Sequence, residues 1–134
     1  MSDLVVDQLS VTHGSTLAID DVSVSIRSGE LVAVLGPSGC GKTTLLLAIA
    51  GLLPVRSGTI TIGGREISRS GRTVAPEKRS VGWVPQEASL FPHLSVAENI
   101  GFAVPRGRGR TERIAELAAL VGLGDLIGRA PNQL

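Results

Sequence analysis

Hydrophobic and polar positions follow recognisable patterns along the first half of the chain. Residues 4–12 (LVVDQLSVT) are rich in β-branched side chains, and residues 22–26 (VSVSI) alternate apolar with polar side chains, as half-buried strands do. Residues 58–67 (GTITIGGREI) form two short runs around Gly63-Gly64, which is typical of a hairpin. These patterns predict a β-rich layer in the N-terminal part of the chain.

Two other apolar runs lack this alternation. Leu31–Leu35 (LVAVL) predicts a strand covered on both faces, as in a parallel sheet under helices, and residues 81–84 (VGWV) predict a second short buried strand. Between them, Thr43–Ala50 is rich in Leu and Ala and predicts a helix that ends at Gly51. The order indicates one buried strand–loop–helix unit after the first strands.

The pattern changes after Gln86, where helical signals replace strand signals. Ser95 and Glu98 have the spacing of a capping box, which predicts a helix over residues 96–103. Thr111 can cap a second helix, because apolar residues recur at helical spacing after it. The last third of the chain is therefore expected to be a small helical region.

Composition and charge exclude several classes of protein. The 134 residues are 43% hydrophobic, which is enough to fill a core, and the formal net charge is only +1. A strongly basic nucleic-acid-binding protein is therefore disfavoured. One cysteine permits neither an internal disulfide nor a cysteine-based zinc site. The longest apolar run is far shorter than the roughly 20 residues of a membrane span.

The strongest motif lies between the predicted buried strand and the helix. It matches G-x-x-x-x-G-K-[ST] and consists of Gly36, Pro37, Ser38, Gly39, Cys40, Gly41, Lys42 and Thr43. The glycines permit backbone angles that a side chain would forbid and let the main chain approach phosphates closely. Successive amides and the positive end of the helix can then hold oxyanions. The motif predicts a phosphate-binding loop, and its alternative is a Gly-rich turn without a ligand.

Two side chains of the motif have roles of their own. Lys42 supplies a mobile cation for the β and γ phosphates of a nucleotide. Thr43 offers a hydroxyl to Mg²⁺, a hard ion that prefers oxygen ligands and keeps several waters. The expected ligand of this loop is therefore a nucleotide polyphosphate with Mg²⁺.

The sequence also resembles the nucleotide-binding subunits of ATP-binding-cassette (ABC) transporters. The matching text is GPSGCGKTTLLLAIAGLLPVRSGTITIGG, followed by RSVGWVPQEASLFPHLSVAENI. The resemblance extends along nearly the whole chain and is far more specific than the phosphate motif alone. It implies an α/β fold with the RecA-like core of P-loop NTPases, an N-terminal antiparallel β layer and the start of an α-helical subdomain. It also implies ATP and Mg²⁺ as cofactors.

The resemblance assigns roles to further residues. By it, Thr44 contacts the α-phosphate, and Gln86 is the Q-loop glutamine that contacts Mg²⁺ or the attacking water, where an ordinary polar loop residue is the alternative. His13 stands where the family usually has an aromatic residue that stacks on adenine. An imidazole can stack as well, and a surface-turn histidine is the alternative. Cys40 is either a small filler in the loop or a thiol activated by the helix terminus.

The family pattern includes residues that this sequence does not contain. The chain stops at Asn132-Gln133-Leu134, which looks like the text just before the family's LSGGQ signature loop. The second metal-binding acid, the catalytic glutamate and the switch histidine of the family lie beyond that loop. We therefore expect an incomplete domain, with residues 1–87 as the N-terminal part of the ATP-binding core and residues 88–134 as the start of the helical subdomain. Alone, this chain is expected to hydrolyse ATP very slowly or not at all.

The resemblance implies the front part of a subunit that couples ATP binding and hydrolysis to solute import. It is most similar to importers of ferric iron, polyamines, thiamine or sulfate, with ferric iron as the first choice. The implied partners are transmembrane permease subunits, a second nucleotide-binding subunit and a solute-binding protein, without nucleic acid, at the cytoplasmic face of the membrane. The alternatives are a soluble cassette ATPase of DNA repair or translation, a non-catalytic nucleotide-binding fragment and, more distantly, a phosphotransferase kinase.

Overall fold

The computed structural model describes residues 3–86 and 90–134, and the chain divides into two compact units, Met1–Trp83 and Val84–Leu134. The described residues of the first unit combine an antiparallel sheet with an α-helix, and those of the second unit are helical. No helix in these two ranges is both long and apolar enough to cross a membrane.

Five strands are described in the first unit, and each pairs antiparallel with its neighbours. They are β1 (Leu4–His13), β2 (Thr16–Ile26), β3 (Ser57–Ile62), β4 (Arg65–Arg69) and β5 (Arg72–Thr73), in the order β2-β1-β3-β4-β5. The predicted N-terminal strand and the hairpin around Gly63-Gly64 are confirmed. β2 begins six residues before the predicted 22–26 because residues 16–19 pair with the end of β1 across a tight turn.

A nine-residue helix, α1 (Lys42–Ala50), contacts β1 and β2 and contributes to the core of the first unit. The helix ends at Gly51 as predicted, because this glycine adopts the left-handed conformation at φ 87° and donates its N–H to the last turn. Each fully buried aliphatic side chain of such a core contributes about 1.5–3 kcal/mol. The buried core residues are Val6, Leu9, Val11, Ile19, Leu45, Ala48, Val55, Ile60 and Ile67.

The prediction of buried strands at Leu31–Leu35 and at residues 81–84 is wrong for this structure. Neither segment is a strand, and Leu31, Leu35 and Val84 are 101%, 88% and 89% exposed. A strand needs neighbours that exchange main-chain hydrogen bonds with it. None of the five described strands pairs with either segment, so their apolar character alone does not produce a sheet.

The second unit contains α2 (Val96–Gly101) and α3 (Arg110–Leu120), which contact each other. α2 begins at the predicted capping box. The N–H of Glu98 donates to the Ser95 hydroxyl, and the N–H of Ser95 donates to the Glu98 carboxylate at 2.8 Å. The helix is two residues shorter than the predicted 96–103, and its start confirms the local spacing rule.

α3 begins one residue before Thr111, so the prediction that Thr111 caps this helix is wrong. The N-cap is Gly109, in the left-handed conformation at φ 78°. The guanidinium of Arg110 donates to the carbonyl oxygen of Gly101 at 2.8 Å and ties the start of α3 to the end of α2. The spacing of apolar residues does not reveal this side-chain contact, so it did not predict that the helix begins at Arg110.

Candidate phosphate-binding site

The loop that precedes α1 curls around the side chain of Lys42, the first residue of the helix. The Lys42 ammonium donates to the carbonyl oxygens of Gly36 at 2.8 Å and of Pro37 at 2.7 Å. It also lies 3.7 Å from the sulfur of Cys40. The positive charge of the motif is therefore held inside the curve of its own loop.

The first turn of α1 presents main-chain N–H groups at this position. The amide of Leu45 bonds to the carbonyl oxygen of Gly41 at 2.9 Å, so the amides of the residues before it precede the intrahelical ladder. Gly41 supplies no side-chain cap, and no acidic residue lies in this described turn. The positive end of the helix is thus not neutralised by a side chain of its own first turn.

β2 contacts the loop most closely at Gly41. Its φ is 94°, and an added Cβ would lie 2.5 Å from the carbonyl oxygen of Ala18 and 3.2 Å from a side-chain carbon of Ile19. Real Cβ atoms do not approach a carbonyl oxygen this closely, so only glycine fits without a shift of the backbone. The close approach fixes the loop relative to the sheet.

A cavity of about 520 Å³ lies where the end of the β1–β2 hairpin meets the start of α1. This volume is in the range of small-molecule sites. The structure therefore places the predicted adenine-stacking residue on one cavity with five of the nine predicted phosphate-binding residues. Its lining consists of His13, Thr16, Ala18, Gly39, Gly41, Lys42, Thr43 and Thr44.

The other predicted site residues lie elsewhere. Gln86 is exposed and belongs to the second unit, so its role stays a prediction. Cys40 is exposed and lines a smaller neighbouring cavity of about 170 Å³ together with Lys42. The loop residues outside the lining of the larger cavity are Gly36, Pro37, Ser38 and Cys40.

Two lining residues, Thr16 and Ala18, are absent from the sequence-based set. They follow the two-residue turn between β1 and β2, and Thr16 pairs directly with His13 across that turn. The sequence could have indicated this pair, because a two-residue turn brings the residues on either side of it together. A candidate adenine-contacting residue at position 13 therefore implies a second contact at position 16.

The residues on the cavity are compatible with Mg²⁺ bound through a nucleotide. Thr43 provides a hydroxyl oxygen there, while no Asp or Glu is among the described lining residues. In residues 3–86 and 90–134 no group of three His, Cys, Asp or Glu side chains could hold a metal ion. Since Mg²⁺ binds through few protein oxygens and retains waters and phosphate oxygens, one hydroxyl suits this mode of binding.

The motif, the helix start and the cavity define a P-loop NTPase, and comparison with known families agrees. The family described as "ABC transporter" matches residues 19–134. The match covers the Gly36–Thr43 motif and both described α-helices of the second unit, α2 and α3. The chain belongs to the ABC transporter family.

Three similar proteins are import ATP-binding proteins by name. An sn-glycerol-3-phosphate import ATP-binding protein of Agrobacterium fabrum is 44% identical over all of this chain and 36% of its own length. An Fe(3+) ions import ATP-binding protein of Mesorhizobium japonicum is 42% identical over all of this chain and 38% of its own length. A sulfate/thiosulfate import ATP-binding protein of Chromobacterium violaceum is 46% identical over 98% of this chain and 36% of its own length. The chain thus spans little more than a third of each relative.

Proposed function

We propose that this chain binds MgATP as the front part of the ATP-binding subunit of an ABC importer. The observation that carries the proposal is that Lys42, whose ammonium lies 2.8 Å from the Gly36 carbonyl oxygen inside the loop, lines one cavity with His13 at the start of α1. A cation, free helix amides and a flat side chain on one cavity match the parts of a nucleotide.

Each part of the nucleotide has a proposed contact. The N–H groups of the loop from Gly36 to Thr43, except at Pro37, which has none, donate to the phosphate oxygens, and Lys42 bridges the β and γ phosphates. Thr44 contacts the α-phosphate, and His13 covers the adenine. Because the ammonium already donates to two main-chain carbonyls, a phosphate oxygen would replace neutral acceptors with an anionic one, which strengthens the hydrogen bond.

Mg²⁺ would be held by the hydroxyl of Thr43, with Gln86 as a further oxygen ligand or as the residue that orients the attacking water. When bound, the ion would neutralise charge on the β and γ phosphates. Thr43 lies on the cavity, which supports its part of the proposal. The contribution of Gln86 rests on the family resemblance.

Calorimetric titration with MgATP tests the binding proposal. We expect wild-type protein to bind, and Lys42→Ala to weaken binding by at least about tenfold, because a charge-assisted contact to phosphate is lost. The chain has only two lysines, so Lys78→Ala is the matched control: Lys78 is exposed and outside the cavity, and its loss should change affinity by less than about twofold. Wild-type protein that binds no MgATP, or equal affinities in both variants, would contradict the proposal.

We also propose that these 134 residues alone hydrolyse ATP very slowly. Phosphoryl transfer to water requires a residue that positions the water and charge stabilisation around the γ-phosphate. The described lining of the cavity supplies the lysine and the hydroxyl but no carboxylate. Steady-state phosphate release by the purified chain should stay near background, and robust turnover would overturn this expectation.

The wider assembly is proposed from the family resemblance. In it, residues 1–87 form the N-terminal part of a RecA-like ATP-binding core and residues 88–134 the start of a helical subdomain. The complete subunit would act as a dimer at the cytoplasmic face of the membrane, bound to permease subunits that receive solute from a solute-binding protein. Relatives named as import ATP-binding proteins support the assignment to an importer.

The second unit contains a surface suited to a permease partner. The rings of Phe91 and Phe102 are in contact, tilted by 42° with centres 4.7 Å apart, and Phe102 remains largely exposed. The segment Phe91-Pro92-His93 resembles the family segment near the membrane domain. Co-purification of the complete subunit with its permease should be reduced by Phe102→Ser and unaffected by a change at an exposed polar site of α3 such as Glu112→Gln.

For the transported solute we propose ferric iron. One of the three relatives described above is named for Fe(3+) ions, and the other two are named for sn-glycerol 3-phosphate and for sulfate or thiosulfate. Uptake by the complete transporter of labelled iron, sulfate and glycerol 3-phosphate separates these candidates. ATP-dependent accumulation of either of the other two solutes, without iron, would refute the iron assignment.

A further inference from the structure

The first unit contains a buried guanidinium that the nucleotide proposal does not use. Arg79 is only 3% exposed. Its side chain donates to the carbonyl oxygens of Val74 at 2.7 Å and of Ala48 and Ile49 at 2.9 Å each, and to the hydroxyl of Ser68 at 2.7 Å. One side chain thus connects the end of α1, the strand β4 and the segment after β5.

Two of these acceptors are carbonyl groups at the carboxyl end of α1. Ala48 and Ile49 lie in the last turn, beyond the reach of the helix's own i+4 donors, and the Ala48 carbonyl also accepts the N–H of the C-cap Gly51 at 3.1 Å. A cation at this end also opposes the negative pole of the helix. Arg79 therefore satisfies the end of α1 that lies opposite Lys42 and the cavity.

Neighbouring residues pack closely around the Arg79 guanidinium. An added Cβ at Gly51, the C-cap of α1, would collide with the Arg79 guanidinium. Burial lowers the pKa of Arg79 from its usual value because the charged form loses solvation. A planar fork that donates in fixed directions defines both the distance and the orientation of the groups it binds, which an apolar side chain of the same size cannot do.

α1 is consequently held at both ends. At its start, Gly41 packs against the carbonyl oxygen of Ala18, and at its end, Arg79 grips two carbonyls. Nine residues of α-helix span about 13 Å, and a rigid rod of that length transmits a tilt at one end to the other. A displacement of the carboxyl end would move Lys42 and Thr43 relative to the hairpin side of the cavity.

We propose that Arg79 is a positioning residue for nucleotide binding: by fixing the carboxyl end of α1, it holds the amides, the ammonium and the hydroxyl at the other end in register with the cavity. This inference rests on the proposed function, because it concerns the geometry of the same site. The described hydrogen bonds of Arg79 include none to a residue that lines the cavity, so its proposed action is through α1.

The test compares MgATP affinity in variants measured below their unfolding transitions, with the folded fraction taken from circular dichroism. We expect Arg79→Met to bind MgATP about tenfold more weakly and Arg79→Lys about threefold more weakly, because a lysine retains the charge without the fork. Arg72→Met removes the same charge from an exposed site on β5 and should stay within about twofold of wild type. Ile67→Val lowers stability in the same core without touching the guanidinium, and its folded fraction should bind as wild type does.

A second pair of variants keeps Arg79 in the sequence; one of them displaces its side chain and the other is the control. Gly51→Ala displaces the guanidinium, whereas Gly71→Ala imposes similar left-handed strain at φ 73° in open space. We expect Gly51→Ala to weaken MgATP binding about threefold and Gly71→Ala to leave it unchanged. This pair decides the question even where Arg79→Met does not fold.

The outcomes separate the two proposals. If wild-type protein binds MgATP and the folded Arg79 and Gly51 variants bind it equally well, the positioning role is refuted while the nucleotide site stands. If wild-type protein does not bind MgATP at all, the proposed function fails and the positioning role fails with it.

Discussion

The ammonium group of Lys42 donates to the carbonyl oxygen of Gly36, six residues earlier, at 2.8 Å. This contact closes the loop from Gly36 to Lys42 on itself, so the proposed phosphate-binding loop is already curved around a cation. A loop shaped in this way loses less conformational freedom when it receives an anion than a flexible one would.

Gly41→Ala should destabilise the first unit more than Gly39→Ala. Both glycines are in the left-handed region, at φ 94° and φ 82°, which costs a side chain about 1–2 kcal/mol. At Gly41 the new Cβ also meets the carbonyl oxygen of Ala18, whereas nothing lies within 4 Å at Gly39. We expect Gly41→Ala to lower the free energy of unfolding by about 1–3 kcal/mol more, measured in urea. Equal losses would show that the close approach to β2 does not constrain the loop.

His13→Ala should weaken MgATP binding about fivefold, and His13→Tyr should bind at least as tightly as wild type, because a larger ring covers more of the adenine. The measurement is a calorimetric titration. The only other histidine, His93, belongs to the second unit, and His93→Ala controls for the loss of an imidazole. If the Ala and Tyr variants at position 13 have the same affinity, His13 does not cover the base.

Labelling of Cys40 with a maleimide should be slowed several-fold by saturating MgATP. This thiol is the only one in the chain, it is exposed, and its sulfur lies 3.7 Å from the Lys42 ammonium. A phosphate chain in the loop would therefore restrict access to it. In Lys42→Ala, for which we expect weaker binding, the same MgATP concentration should give less protection. A labelling rate that is indifferent to nucleotide would argue against phosphate binding beside Cys40.

The stability of α2 should fall at acidic pH because of Glu98. Hydrogen bonds from the Ser95 amide and then the Ser95 hydroxyl hold the pKa of Glu98 below its usual value. The ionised carboxylate therefore stabilises the folded form above the unfolded-state pKa, and this contribution is lost as pH falls through the folded-state value. Helix content followed from about pH 6 to about pH 3 should decline less steeply in Glu98→Gln than in wild type. Glu112→Gln, at an exposed position in α3 without this reciprocal cap, should retain the wild-type slope.

Short-range sequence patterns correctly predicted the elements that are determined by residues close together in the chain. The helix that starts at the phosphate loop and ends at Gly51, and the capping box of Ser95 and Glu98, depend on residues within one or two turns of each other. The hairpin at Gly63-Gly64 has the same kind of cause. Short-range spacing therefore predicted these elements and the loop that one of them carries.

Features that depend on distant partners were missed or wrong. Leu31–Leu35 has the composition of a buried strand, but a strand also requires neighbours, which its own residues do not specify. Thr16 enters the cavity through its pairing with His13. The sequence around Arg79 does not indicate that this side chain is buried, because its hydrogen-bond acceptors lie up to 31 residues away in the chain.

The uncovered aliphatic segment from Leu31 to Leu35 has a consequence for handling the protein. Its leucine side chains face water, and its main-chain groups are not engaged by any of the five described strands. An extended segment of a second molecule can pair with these main-chain groups, and the exposed apolar side chains favour that association. Concentrated solutions of the isolated chain should therefore scatter light progressively, and replacing Leu35 with lysine should keep them clear.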